Sequence, residues 1–208
     1  MADWDTTASL ATAGGTLVLA LATFSSVRSA NRAARLAERS LMAGLRPLLL
    51  ASRAQDPPEK VLWGDEHAAR VEGGRGVVEQ VGGVVYLAFT LRNAGPGIGV
   101  IHGWYVWEGW HPEAGPAPLD GFRRQQRDLY IPSGDTGFWQ GAIRDADDPD
   151  RPRLAPALAR QRFMIDLLYG DYEGGQRTIT RINLSPFGDT GWIAGTARHW
   201  NVDRPDPR

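Results

Sequence analysis

The chain has no cysteine in its 208 residues and only one lysine, Lys60. The first absence excludes a disulfide framework, a thiolate zinc or iron–sulfur site and a cysteine nucleophile. An excess of charge is also missing: 23 basic residues against 24 acidic give −1, which supplies no electrostatic reason for a nucleic-acid partner. Arginine makes up all the basic residues but Lys60. The guanidinium fork suits carboxylates and phosphates, but its prevalence beside abundant Ala, Gly and Pro reads first as compositional bias. A hydrophobic share of 42% provides for one domain core of ordinary size and hardly for two.

Charge is absent altogether from residues 6–27. As a helix this stretch would be about 33 Å long, against about 30 Å of bilayer hydrocarbon. Its large apolar residues are Leu10, Leu17, Val18, Leu19, Leu21, Phe24 and Val27, which together favour insertion by about 3 kcal/mol. A signal peptide would begin with a basic segment, whereas this one carries Asp3 and Asp5. Trp4 stands where an interfacial aromatic anchor belongs.

The C-terminal flank of the apolar stretch is basic, with Arg28, Arg32, Arg35, Arg39 and Arg46 against a single Glu38. The net charge thus divides into −2 for residues 1–27, +4 for residues 28–46 and −3 beyond. Positive-inside asymmetry then puts the N-terminus outside the cell membrane and the C-terminal domain in the cytoplasm. No proline interrupts residues 28–45, so the helix is expected to continue as a stalk until Gly44 and Pro47 stop it. Ala11 and Gly15, followed by a stripe of Val27, Ala30, Ala34, Ala37 and Leu41, offer residues 8–45 as a homodimer seam. The organisation expected is a transmembrane helix with its stalk over residues 1–46 and a β domain over residues 47–208.

Beyond Pro47 the pattern shifts to short strand-like runs separated by Gly, Pro, Asn and Asp. Residues 84–92 alternate, with Val85, Leu87, Phe89 and Leu91 on one face. Asn93-Ala94-Gly95-Pro96-Gly97 reads as a turn into residues 98–108, forming a hairpin. A second hairpin joins residues 162–169 to residues 176–184. Further runs at 48–52, 76–81, 128–131, 136–143 and 190–200, with one short helix near residues 154–160, predict a mainly β, antiparallel sandwich.

The strand and turn LAFTLRNAGPGIG (87–99) resembles bacterial immunoglobulin-like modules, which implies an immunoglobulin-like β-sandwich. The segments FWQGAIRDADDPD (138–150), DLLYGDYEGGQRTITRI (166–182) and RHWNVDRPDPR (198–208) resemble small single-span membrane proteins of actinobacteria. That resemblance implies location and architecture, and no activity.

Motifs of chemistry fit poorly. Gly95-Pro96-Gly97-Ile98-Gly99 has the wrong spacing for a dinucleotide fingerprint and leads into a strand, and Ser133 lacks a nucleophile elbow. Asp145, Asp147, Asp148 and Asp150 fail the EF-hand register, with prolines at positions that need ligands. Asp166, Asp171 and Glu173 suggest a catalytic carboxylate pair, but Asp171 and Glu173 lie in a hairpin turn, where acidic residues are ordinary. His67, His102, His111 and His199 are scattered without metal-ligand spacing. No catalytic residue, metal or cofactor is therefore expected. Trp104, Trp107 and Trp110 form a possible binding surface, with Tyr105 and Trp107 on one strand face and Trp104 on the other. The expected function is a membrane-anchored, non-enzymatic module that meets the lipid bilayer and an unknown protein partner. The alternative is an exported carbohydrate- or wall-binding module that uses the three tryptophans.

Overall fold

The computed structural model describes residues 2–206, with the side chains of residues 2, 4–7 and 11 outside the described set. The expected anchoring ring of Trp4 and the side chain of Ala11 therefore lie outside it. The chain forms two compact units, residues Met1–Ala43 and Gly44–Arg208.

The first unit lies in helix α1, Ala2–Leu45, about 66 Å long at 1.5 Å per residue. Its large apolar side chains from Leu10 to Val27 are all exposed, and the helix is long and apolar enough to cross a membrane. Its hydroxyls turn inward on the helix itself. Thr12, Thr16 and Thr23 Oγ1 donate to the carbonyls of Ala8, Thr12 and Leu19 at 2.9, 2.8 and 2.8 Å, and Ser25 Oγ donates to Ala22 at 2.8 Å. A hydroxyl bonded in this way carries no unmet polar demand into an apolar surround.

The second unit is built from eleven strands: β1 (Leu49–Ala51), β2 (Glu59–Leu62), β3 (Ala68–Val71), β4 (Arg75–Val81), β5 (Val84–Asn93), β6 (Gly99–Val106), β7 (Arg123–Ile131), β8 (Thr136–Ile143), β9 (Phe163–Gly170), β10 (Thr178–Phe187) and β11 (Gly191–Asn201). One turn of helix, α2 (Ala155–Leu158), lies between β8 and β9. Apart from the β2–β3 hairpin, the strands join in one antiparallel sheet. Strand β5 has β8 along one edge and β4 followed by β1 along the other, and the ladder continues through β11, β10, β9 and β6 to β7. The sheet curls so that β7 returns toward β8, where Gln125 Nε2 donates to the Gln140 carbonyl at 3.1 Å.

The architecture is therefore a curled antiparallel sheet, and it differs from the two separate layers that the strand spacing predicts. The layers are joined where β4 meets β11, through Gly76 opposite Trp192 and Arg75 opposite Ile193. Inside the curl lies the main core, with Leu49, Phe89, Trp104, Trp139, Phe163, Ile165, Tyr169 and Trp192 among its fully buried members.

The expected β5–β6 hairpin does not form, because β5 pairs with β1, β4 and β8 while β6 pairs with β7 and β9. Residues 94–98 instead cross the curl, and Asn93 fixes the crossing. Its side chain is 1% exposed and makes four bonds. Oδ1 accepts from the Leu48 and Gly95 amides at 3.0 and 2.9 Å, while Nδ2 donates to the Gly97 and Ile131 carbonyls at 2.6 and 3.0 Å. The backbone of residues 45–48 runs so close to Gly95 and Gly97 that a Cβ at either would collide with it. The hairpin of β9 and β10 forms as expected, with Ile165 opposite Ile182 and Asp166 opposite Arg181.

Strands β5 and β9 are buried on both faces, where one-sided alternation was expected for β5. On β5 the cover is the β2–β3 hairpin, which the sequence pattern did not reveal. Val61, Trp63 and Val71 bury against Tyr86 and Ala88. An isolated two-stranded hairpin is marginal in water, but burying each such side chain is worth about 1.5–3 kcal/mol.

On β9 and β10 the cover is the loop of residues 107–118, held by an ion pair between Asp166 and Arg181, both without solvent exposure. Arg181 Nε and Nη2 donate to Asp166 at 2.7 and 2.9 Å. Nη1 donates to the His111 and Ala114 carbonyls at 3.3 and 2.8 Å, and Nη2 to Gly115 at 2.7 Å. Asp166 Oδ2 also accepts from the Ala117 amide at 3.0 Å. Removing one member of such a pair leaves an uncompensated buried charge. Asp166→Leu is therefore expected to destabilise the full chain in detergent by about 3–5 kcal/mol in urea titration, and the double change Asp166→Leu with Arg181→Met by less. An equal or larger loss in the double variant would contradict this reading of the pair.

Candidate functional site

The three tryptophans that suggested a binding surface are split by the fold. Trp104 is 3% exposed and belongs to the core, edge-on to Trp139 at 5.3 Å, so it is corrected from a surface to a packing residue. The register shift in β6 between Ile101 and Gly103 changes the inward phase, so Trp104 and Val106 are buried while Tyr105 turns outward. Trp107 is half-buried beneath the Arg181 guanidinium, 4.6 Å from its ring centre. Trp110 is 38% exposed, with the Arg162 guanidinium 5.8 Å from its ring centre. Trp107 and Trp110 line a shallow concavity of about 520 Å³ with residues 111–114. Of the expected surface, only Trp110 presents a large face to solvent.

The other sequence candidates are occupied by structural bonds. Asp148 accepts from Arg123 Nη1 at 2.7 Å and Asp150 from Arg153 at 2.7 Å, so the acidic loop is a bridged loop. Asp171 closes the β9–β10 turn by accepting from Gly175 and Gln176. Ser133 Oγ donates to the Gly95 carbonyl at 2.7 Å. His67 stacks on Tyr86 at 3.9 Å and bonds Glu79 at 3.0 Å, while His199 bonds Thr180 at 2.6 Å. Burial, followed by the nearby charge of Arg177, lowers the affinity of His102 for a proton. Among the described residues no three His, Asp or Glu side chains gather as a metal site.

A larger concavity lies elsewhere, along the seam where the curl fails to close. It has a volume of about 620 Å³. One wall is β7, which carries Arg123, Arg124, Gln125 and Arg127. Its pairing with β6 runs through residues 129–131 and resumes at 123–124, leaving residues 125–128 bulged out of the ladder. Bulges of this kind re-aim side chains, and they recur beside functional sites. The facing wall is β8 with Gln140 and Gly141, extended by Arg144. Trp104 forms the base. A Cβ on Gly141 would lie 2.8 Å from the Trp139 ring and 3.2 Å from that of Trp104, so glycine lets both rings pack beneath the seam.

The rim comes from residues 62–65 after β2. Trp63 Nε1 donates to the Gly141 carbonyl at 3.0 Å. Asp65 accepts from Arg144 and Tyr86 at 3.0 and 2.8 Å. Two of the four arginines are thus neutralised, Arg144 by Asp65 and Arg123 by Asp148. Arg124 and Arg127 form no ion pair among the described residues, and Arg127 reaches only the Leu62 carbonyl at 3.4 Å. Two buried amide oxygens, Gln125 Oε1 and Gln140 Oε1, have no partner among the described residues.

No family model, curated protein or solved structure matches this chain. Sequence reasoning missed the cleft because its walls come from three segments, 62–65, 123–127 and 140–144. The one local signal was the polar run Arg123-Arg124-Gln125-Gln126-Arg127, which breaks strand alternation.

Burial works to raise the carboxyls of Asp65 and Asp148, but their hydrogen bonds outweigh it and hold both below the ordinary 3.8: Tyr86 and Arg144 for Asp65, the Asp150 amide and Arg123 for Asp148. Asp203 is lowered chiefly by its hydrogen bonds from Arg177. A carboxyl whose value is depressed by folding adds stability above its unfolded value, and that stability disappears as pH falls through the folded one. The melting temperature in detergent is expected to be level between about pH 7 and pH 5 and to decline below about pH 4. Asp203→Asn should remove part of that decline, and a wild-type curve that stayed level through the acid range would contradict the assignment.

Proposed function

We propose that the chain is a single-pass membrane protein whose helix anchors a non-enzymatic β domain at the cytoplasmic face, where it serves as a protein-interaction or assembly module. The observation that carries this reading is the apolar part of α1, every described side chain of which is exposed. A surface of this kind is unsuited to water and calls for lipid or a partner helix. The basic flank of Arg28, Arg32, Arg35 and Arg39 sets the orientation with the N-terminus outside. The resemblance to single-span actinobacterial proteins fits this reading, as does a homodimer formed through residues 8–45. The immunoglobulin-like kinship of β5 and its following turn belongs here too, as a proposal supported by that short segment.

A second reading, an exported carbohydrate-binding module, is favoured by the exposed ring of Trp110 beside its concavity. Orientation separates the two. Because the chain has no cysteine, single cysteines can report it directly. A membrane-impermeant maleimide is expected to label Asp3→Cys in intact cells and Glu113→Cys only after lysis. Labelling of Glu113→Cys in intact cells would overturn the cytoplasmic reading and favour the exported one. Replacing Arg28, Arg32, Arg35 and Arg39 with glutamine is expected to mix the two orientations, and an unchanged pattern would show that the basic flank does not set topology.

A further inference from the structure

We infer that the seam cleft between β7 and β8 is a binding site for a phosphomonoester carried on a hydroxylated carbon skeleton, such as a sugar phosphate. Its volume of about 620 Å³ suits a small molecule, and nearly half of its lining is polar, a larger share than in the mostly apolar lining usual for such sites. Charge is the first argument. Arg124 and Arg127 line the cleft without an ion pair among the described residues, while Arg123 and Arg144 are already matched by Asp148 and Asp65. Two uncommitted guanidinium groups balance the nearly two negative charges of a phosphomonoester better than the single charge of a carboxylate.

The cleft also holds buried acceptors without donors among the described residues. Gln140 is 7% exposed and lines the cleft, and its Oε1 has no partner among the described residues. Gln125 Oε1 is buried and unpartnered as well, while its Nε2 is committed to the Gln140 carbonyl. Buried acceptors in native proteins are nearly always satisfied. Two of them in one cleft ask for donors, which a phosphate lacks and hydroxyl groups supply.

Trp63 and Trp104 are both 3% exposed, so they present no open ring face on which a nucleobase would stack. The ligand is thus read as an anion at one end and a polyol at the other. The same chemistry occurs in a free sugar phosphate and in the headgroup of a phosphorylated inositol lipid.

The experiment is thermal unfolding of the full chain, first in detergent micelles with ribose 5-phosphate, ribose or inorganic phosphate, then in phosphatidylcholine nanodiscs with and without phosphatidylinositol 4-phosphate. At about a hundredfold over its Kd, ribose 5-phosphate is expected to raise the melting temperature by about 5 °C or more. The double variant Arg124→Gln with Arg127→Gln, both exposed and without ion pairs, should keep the unliganded melting temperature and bind at least about tenfold more weakly. Gln140→Leu should weaken ribose 5-phosphate by about tenfold and leave inorganic phosphate unchanged, without lowering unliganded stability. Stabilisation by ribose 5-phosphate that is lost in the arginine variant assigns a free ligand. Stabilisation confined to the inositol-lipid nanodiscs and lost in the same variant assigns a headgroup. No stabilisation by either, or stabilisation that persists in the arginine variant, would overturn the inference.

Discussion

A guanidinium removed entirely from water governs the outer face of half the β domain. Taking such a charge out of solvent is expensive unless a partner charge and all its donors are matched. Arg181 meets both conditions, with five N–H bonds shared between Asp166 and the carbonyls of His111, Ala114 and Gly115. Its faces are covered as well, with the rings of Trp107 and Trp200 centred 4.6 and 4.8 Å from it. The loop after β6 therefore has a conformation dictated by the needs of one side chain. The placement of Trp107 beneath that side chain, and of Trp110 on the solvent side, follows from the same constraint.

The opposite side of the domain is organised by packing, and there the curl stays open. The β2–β3 hairpin covers β5 through Val61, Trp63 and Val71, and Trp63 ties the covering hairpin to β8. Between β8 and the bulged part of β7 no strand ladder forms; Gln125 bridges to Gln140 on β8 instead, and Arg127 reaches Leu62 at the end of β2. A sheet that closed fully would have no cleft at this position. The bulge at residues 125–128 sets Gln125 and Arg127 along the gap, beside Arg124 at the end of the ladder.

Elements governed by local pattern were legible in the sequence. The uncharged run and its basic flank correspond to α1, and the alternation of Phe163, Ile165, Leu167 and Tyr169 with a Gly-rich turn after it marks β9 and β10. Features decided by long-range contact were not. Asn93 to Gly97 has the composition of a hairpin turn, yet its geometry answers to the backbone of residues 45–48, which lies nearly fifty positions earlier. Strands β2 and β3 carry too many charged and small residues to stand out alone, since their stability comes from the face they cover. Trp104 faces inward by strand phase, which a cluster of tryptophans conceals. The arginine-lined cleft was hidden by composition: in a chain where almost every cation is arginine, the type does not mark a site, and only its lack of an acidic partner does.

A buried ion pair locks one face of the domain while the seam on the other stays open. Site-resolved amide hydrogen exchange on the full chain in detergent tests it most directly. The account expects the Ala117 amide, bonded to Asp166, to exchange as slowly as amides in the middle of β9, and the amides of residues 125–128 to exchange far faster. Fast exchange at Ala117, or protection across residues 125–128 equal to that of β5, would contradict it.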